Sequence, residues 1–309
     1  MEDFTCIVSN NEMSEGLFGM VILYIFEILP ILEEYNVDVS KIKWDVCTTN
    51  YGSIFPMILE YNSEFINSYK IDTKMQLFDL RASHPQYTLG DDFSKLNQLF
   101  FKYFKIPQYL ELETEKYDQM YNLQNSLGIH FRGTDKTTDY TMNDPLTINE
   151  FYIIIDSFLK NNSDIKNVFL ATDEPGIHDY LKNKYDYIHF ATSRNFNNNL
   201  FWRNNSNVIG NGREAMIDML CLSKCKVVLK VSSALSAFSK IINPNLNIFR
   251  LNGLKMFTDI PYFPDAYIPL LEQNENYTEE CNRILDKIQM HDWAKTHKYS
   301  FNNFYYKLR

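Results

Sequence analysis

Short continuous apolar runs alternate along this chain with longer segments whose apolar residues recur every three to four positions, most regularly after residue 127. Apolar runs bounded by charge or glycine read as strands buried on both faces, and the helical recurrence reads as helices laid against them. The pattern predicts strands at 127–132, 167–171, 187–190, 226–231 and 246–250. It predicts helices at 147–159, 176–184 and 213–223, with a further one beginning near Ser232 and Ser233. Thr147 followed by Glu150 has the spacing of a capping box, and an Asn-rich loop at 192–211 interrupts the alternation. Strands alternating with helices imply a parallel sheet joined by right-handed crossovers, so a Rossmann-like domain is expected over 126–273.

The first half is less regular. A strand at 4–9 leads through a polar loop bearing Gly16 and Gly19 into an apolar segment long enough for a helix. Further strands are expected at 42–47 and 75–80, with 51–69 mostly helical between them. An amphipathic helix at 91–104 carries an aromatic face that suits a core rather than a base-stacking platform, and a polar, acidic helix at 108–124 leads to the second half. Residues 1–125 are therefore expected to form a first α/β, Rossmann-like domain, and 274–309 a C-terminal helical segment.

A chain of 309 residues suits two domains of ordinary size, and a hydrophobic content of 45% supports packed cores. A net charge of −9 argues against a broad surface for nucleic acid or anionic membrane; an anion would be held by a few local cations. The five cysteines form no disulfide framework and their odd count suits a reducing compartment. Cys221 and Cys225, four apart without a nearby His, read as buried thiols rather than zinc ligands. The longest apolar stretch, 17–32, contains Glu27 and Pro30, and the N-terminal Met-Glu-Asp lacks the basic segment of a signal peptide; a soluble cytoplasmic protein is expected. The sequons at Asn161, Asn204 and Asn276 would matter only in a secretory lumen.

Candidate chemistry gathers at the ends of the predicted strands. The run beginning at Leu127 ends in Arg132, breaks at Gly133 and opens into Thr134-Asp135-Lys136. In open α/β sheets ligands bind beyond the carboxyl ends of the strands. Arg132 offers a planar fork of donors that matches a phosphate, and Lys136 adds a point charge; pairing of Arg132 with Asp135 is the structural alternative. Arg132, Asp173 and Ser233 each follow a predicted strand and so share one sheet edge. Ser232 and Ser233 could cap the next helix or present hydroxyl and N–H groups to a phosphate, and the roles are compatible.

Three blocks carry a resemblance: His130-Phe-Arg-Gly-Thr-Asp-Lys136, Val168-Phe-Leu-Ala-Thr-Asp-Glu-Pro175, and Asp218-Met-Leu-Cys-Leu-Ser-Lys-Cys225 followed by Val231-Ser-Ser233. In letters, order and spacing they resemble the donor-site blocks of fucosyltransferases of the core α-1,6 and nodulation type, over about residues 127–250. The resemblance implies a GT-B glycosyltransferase with two facing Rossmann-like domains and a GDP-sugar on the second. By the same resemblance, His130 and Asp218 would recognise guanine, Arg132 and Ser233, with Ser232 beside it, would contact the diphosphate, and Asp173 matches an acidic donor-site position. It further implies an inverting, metal-independent transfer of L-fucose from GDP-β-L-fucose to a glycan hydroxyl, with no cofactor; the chain contains no Asp-x-Asp.

The sequence departs from the family at two places. Gly133 stands where a second Arg is usual, so part of the cationic clamp would come from elsewhere, with Arg194, Arg203 and Arg213 as candidates. Tyr140 stands at the place of the Glu that deprotonates the acceptor; Asp139 is the nearest carboxylate, followed by Glu15 and Asp144. Arg132, Lys136 and Asp139 are thus the expected catalytic residues. The alternatives are the same fold using another GDP- or UDP-sugar, and a non-catalytic nucleotide- or glycan-binding relative.

Overall fold

The computed structural model describes residues 92–133, 146–193 and 208–251 continuously, with Ile268, Pro269, Leu271 and the short elements named below outside those spans. In the first half the strands are β1 (Thr5–Ser9), β2 (Ile42–Asp45), β3 (Cys47–Thr48), β4 (Gly52–Ser53), β5 (Glu60–Tyr61), β6 (Met75–Asp79) and β7 (Phe104–Lys105). The helices there are α1 (Leu17–Met20), α2 (Phe93–Tyr103) and α3 (Gln108–Tyr121). The second half runs β8 (Leu127–Phe131), α4 (Ile148–Asn161), β9 (Asn167–Thr172), α5 (Pro175–Lys184), β10 (His189–Ala191), α6 (Val208–Lys224), β11 (Val227–Lys230), α7 (Ala234–Ile242) and β12 (Asn247–Arg250). A last strand, β13 (Tyr305–Lys307), lies near the C-terminus.

The second-half strands form one sheet in the order β10-β9-β8-β11-β12, every neighbouring pair parallel, as the alternation of strands and helices predicts. Each βαβ crossover lays a helix on one of the two faces. On one face α4 and α5 cover Leu127, Ile129, Phe131, Val168, Leu170 and Leu229 with Phe151, Ile155, Leu159, Ile177 and Leu181. Phe151, Ile155 and Leu159 recur at the helical spacing that sets one stripe against the sheet, and each such side chain contributes about 1.5–3 kcal/mol when fully buried.

The opposite face is covered from further away in sequence. There Phe169, Ala171, Val228 and Ile248 meet α6 and α7, and outside these pack Leu96, Phe100, Tyr103 and Leu110 from α2 and α3. The α3 helix packs on α6 and α2 on α7, where Asn97 Nδ2 donates to the Ile241 and Ile242 carbonyls at 2.9 and 3.0 Å. Segments that precede residue 126 thus complete the core of the second sheet. Gly128 lets α6 approach: a Cβ there would lie 2.8 Å from Val228 Cγ2 and 3.0 Å from Leu222 Cδ2.

The first-half strands β6, β1 and β2 form a sheet of their own with β13, in the order β13-β6-β1-β2, with β6, β1 and β2 parallel and β13 antiparallel to β6. The α1 helix reaches α7, where the Phe18 and Phe238 ring centroids are 5.9 Å apart.

Three expectations change. Within 51–69, Gly52–Ser53 and Glu60–Tyr61 are strands rather than helix, because Glu60–Tyr61 pairs with Phe104–Lys105 in a ladder no local pattern reveals. Within 274–309, Tyr305–Lys307 is a strand: adjacent tyrosines have high β-propensity and β6 offers them an edge. The loop expected to extend to 211 ends sooner, since α6 already begins at Val208. Among the described residues no helix is long and apolar enough to cross a membrane.

Candidate functional site

Four neighbouring strands present His130, Ala171, Lys230 and Arg250 at one level of the sheet, His130 in register with Ala171 and Lys230, and Lys230 with Arg250. Registered neighbours place their side chains on the same side, here the side covered by α6 and α7. His130, Lys230 and Arg250 are buried, Lys230 completely. Arg250 Nε donates to the Ile268 carbonyl at 2.8 Å and its backbone N–H donates to Pro269 at 2.6 Å, anchoring that segment. Sequence reading passed over Lys230 and Arg250; their signal is a cation inside an apolar strand run, which is tolerated only with compensating partners.

His130 Nδ1 lies 2.7 Å from Ser236 Oγ in the first turn of α7. Ser236 Oγ also donates to the Ser233 carbonyl at 3.4 Å, so the end of β8 is tied to the start of α7. Ser233 occupies the N-cap position of that helix, yet its side chain makes no cap hydrogen bond. Its Oγ is buried and has no hydrogen-bond partner among the described residues. The first N–H groups of a helix lack partners within it and the helix dipole favours an anion beside them. The buried Ser233 hydroxyl, unsatisfied among the described residues, adds a further donor at this helix start.

Beyond β8 and β9 two further groups meet. The Gly133 N–H donates to Asp173 Oδ1 at 2.8 Å, fastening the loop after Arg132 to the end of β9. Arg132 is half-buried and Gly133 buried. A Cβ at 133 would stand 2.7 Å from Glu174 Cδ, so any side chain there would require the flexible end of Glu174 to move. Burial, and then the charge of Asp173, push the Glu174 carboxyl above its ordinary range. Sequence reading singled out Asp173 and missed Glu174, since the contact with Gly133 joins two distant blocks.

Asp218, on the sheet-facing side of α6, is buried and accepts a hydrogen bond from Ser193 just beyond β10. Tyr117 on α3 is pushed up to about 12 by burial and then by the nearby Cys221, Glu113 and Asp218. Cys221 and Cys225 are buried free thiols, and burial raises both above the ordinary range. The structure therefore brings His130, Ser232 and Ser233 to one edge with Arg132 and Asp173, and puts Asp218 at the neighbouring helix. Arg213 is paired with Glu113: its Nε donates to Glu113 Oε2 at 3.0 Å and its Nη2 donates to the same oxygen. Lys136, Asp139, Tyr140, Asp144, Glu15, Arg194 and Arg203 lie outside the described residues.

No protein-family profile matches the chain, and no curated protein matches it. Among solved structures it is similar to NodZ alpha-1,6-fucosyltransferase soaked with GDP-fucose, at 14% identity over 80% of this chain and 95% of that one, with a TM-score of 0.47. It is similar to the fucosyltransferase NodZ from Bradyrhizobium, at 11% identity over 79% of this chain and 95% of that one, with a TM-score of 0.48. It is also similar to a mutant of Arabidopsis thaliana FUT1 in complex with GDP, at 9% identity over 81% of this chain and 73% of that one, with a TM-score of 0.49.

Proposed function

We propose that the chain is an inverting, metal-independent glycosyltransferase of the GT-B kind that moves L-fucose from GDP-β-L-fucose to a glycan hydroxyl. The observation that carries this reading is the buried Ser233 hydroxyl at the start of α7, without a hydrogen-bond partner among the described residues, in a residue whose carbonyl is linked through Ser236 to His130 and which shares a sheet edge with Arg132. His130, Arg132 and Ser233 belong to two of the three sequence blocks that resemble fucosyltransferase donor sites.

In this reading Ser233, Ser232 and the first N–H groups of α7 hold the diphosphate, and Arg132 with Lys136 offsets the charge that builds as GDP departs. Asp218 accepts from the N1–H and N2–H edge of guanine, with His130 beside it. Asp173 keeps the Arg132 loop in place through Gly133. The reaction is a single in-line displacement, in which the acceptor oxygen attacks C1 of fucose while the diphosphate oxygen leaves with the bonding pair.

A thermal-shift panel tests the donor assignment. A ligand at a hundred times its Kd stabilises the fold by about 2.7 kcal/mol, so GDP and GDP-fucose should raise the unfolding midpoint well above UDP or ADP at equal concentration. Asp218→Asn, which replaces an acceptor oxygen by a donor, should narrow the gap between GDP and UDP while keeping the shift common to all diphosphates. A larger shift with UDP than with GDP would overturn the guanine assignment.

A further inference from the structure

The geometry points to Glu174 as the catalytic base that takes the acceptor proton, an assignment that rests on the donor reading above. Three observations converge on this side chain. It stands immediately beyond the carboxyl end of β9 and lies across Gly133, next to Arg132. It is the N-cap residue of α5 but makes no cap hydrogen bond, and among the described residues its carboxylate joins no hydrogen bond. Asp173, the adjacent acid, is already engaged with the Gly133 N–H. Among the described residues, the carboxylate that remains for chemistry at this edge is Glu174.

Gly133 leaves room for Glu174: a Cβ at 133 would stand 2.7 Å from Glu174 Cδ, so with glycine at this point the carboxylate can lie against the loop that carries Arg132. Asp173 and, from α4, Tyr152 are the titratable groups whose charge couples to Glu174. A partly desolvated carboxylate raised above its ordinary range is a better proton acceptor near neutral pH than a solvated one. In the step assigned here, the acceptor O–H gives its proton to a Glu174 oxygen as its oxygen bonds to fucose C1. The C1–O bond to the diphosphate breaks with its electron pair leaving on GDP, beside Arg132. Water can serve as the acceptor in the same step.

The test uses the full chain and GDP-fucose with water as acceptor, reading GDP release, GDP thermal shift and the pH profile of release. For Glu174→Gln, GDP release should fall about thirtyfold or more while the GDP shift stays at the wild-type value. The wild-type rate should drop as pH falls through a carboxylate range higher than usual, and that limb should vanish in the variant. Azide added to Glu174→Ala should restore GDP release by attacking C1 without a proton to remove. Wild-type release by Glu174→Gln, or a steep loss in Asp139→Asn alone, overturns the assignment, as does a wild type that binds GDP-fucose and releases nothing. Absence of any GDP shift in the wild type overturns the donor reading itself, which separates the two failures.

Discussion

Two helices on the same sheet begin in opposite ways. At α4, Thr147 Oγ1 accepts from the Glu150 N–H at 3.2 Å, and Glu150 Oε2 accepts from the Thr147 N–H at 2.9 Å and its hydroxyl at 2.7 Å. At α7, Ser233 has the same N-cap position and a comparable hydroxyl, yet that hydroxyl is buried and bonded to nothing described. Leaving a buried hydroxyl unsatisfied costs about 1–3 kcal/mol, so a fold keeps one where something else completes it. The first helix start is closed by its own side chains; the second, in the reading proposed above, keeps its donors for the diphosphate. The faces differ likewise. Beneath α4 and α5 the core is apolar, whereas the side of α6 and α7 buries His130, Asp218, Lys230, Ser236, Ser239 and Arg250.

The largest effect should come from the cation beside the second start. Arg132→Ala should lower GDP release from GDP-fucose by about a hundredfold or more, as loss of a charged contact to a departing group does. Its unfolding midpoint without ligand should stay near that of the wild type. Unchanged GDP release from a folded Arg132→Ala protein would remove the central residue from the proposed mechanism.

Ser233→Ala sharpens the contrast between the two caps. A hydrogen bond to a charged group contributes about 1.5–3 kcal/mol, so GDP affinity should fall roughly tenfold to a hundredfold. Stability of the ligand-free protein should hold or rise, because the substitution deletes an unsatisfied hydroxyl and no cap bond. A Ser233→Ala protein that melts early and binds GDP normally would make the two helix starts equivalent.

How far the sequence reveals these features depends on the range of the interaction that creates them. The capping box and the strands of the second sheet are local or nearly so: Thr147 and Glu150 are three apart, and apolar runs between charges mark β8, β9, β11 and β12 to within a residue or two. Arg132, Asp173 and Ser233 were legible as one edge because parallel topology alone aligns strand ends. Glu174 was not, because its meaning lies in the room left by Gly133 on another strand. Lys230 and Arg250 are isolated cations in apolar strand runs in one dimension and become a buried row with His130 only when β8, β11 and β12 are laid in register. The β5–β7 ladder and β13 escape for the same reason, since each is decided by a partner strand far away in the chain.

The smallest effect should come from the first helix start, and it carries a pH signature. Thr147→Ala removes the cap acceptor and should cost about 1 kcal/mol of stability at neutral pH, with GDP affinity unchanged. The side-chain hydrogen bond from Thr147, then the backbone one, hold the Glu150 carboxyl below its ordinary range. A carboxyl lowered in the folded state adds stability above its unfolded value, and that share disappears as pH falls through the lowered folded value. Because Glu150 is exposed, solvent screens its share, and most of the penalty belongs to the cap bond itself. The gap in unfolding midpoint between wild type and Thr147→Ala should therefore narrow slightly on acidification below the ordinary Glu range, without closing. Chemical denaturation at neutral and acid pH measures it; a gap that widens with acid would mean that Glu150 is not held in its charged form by Thr147.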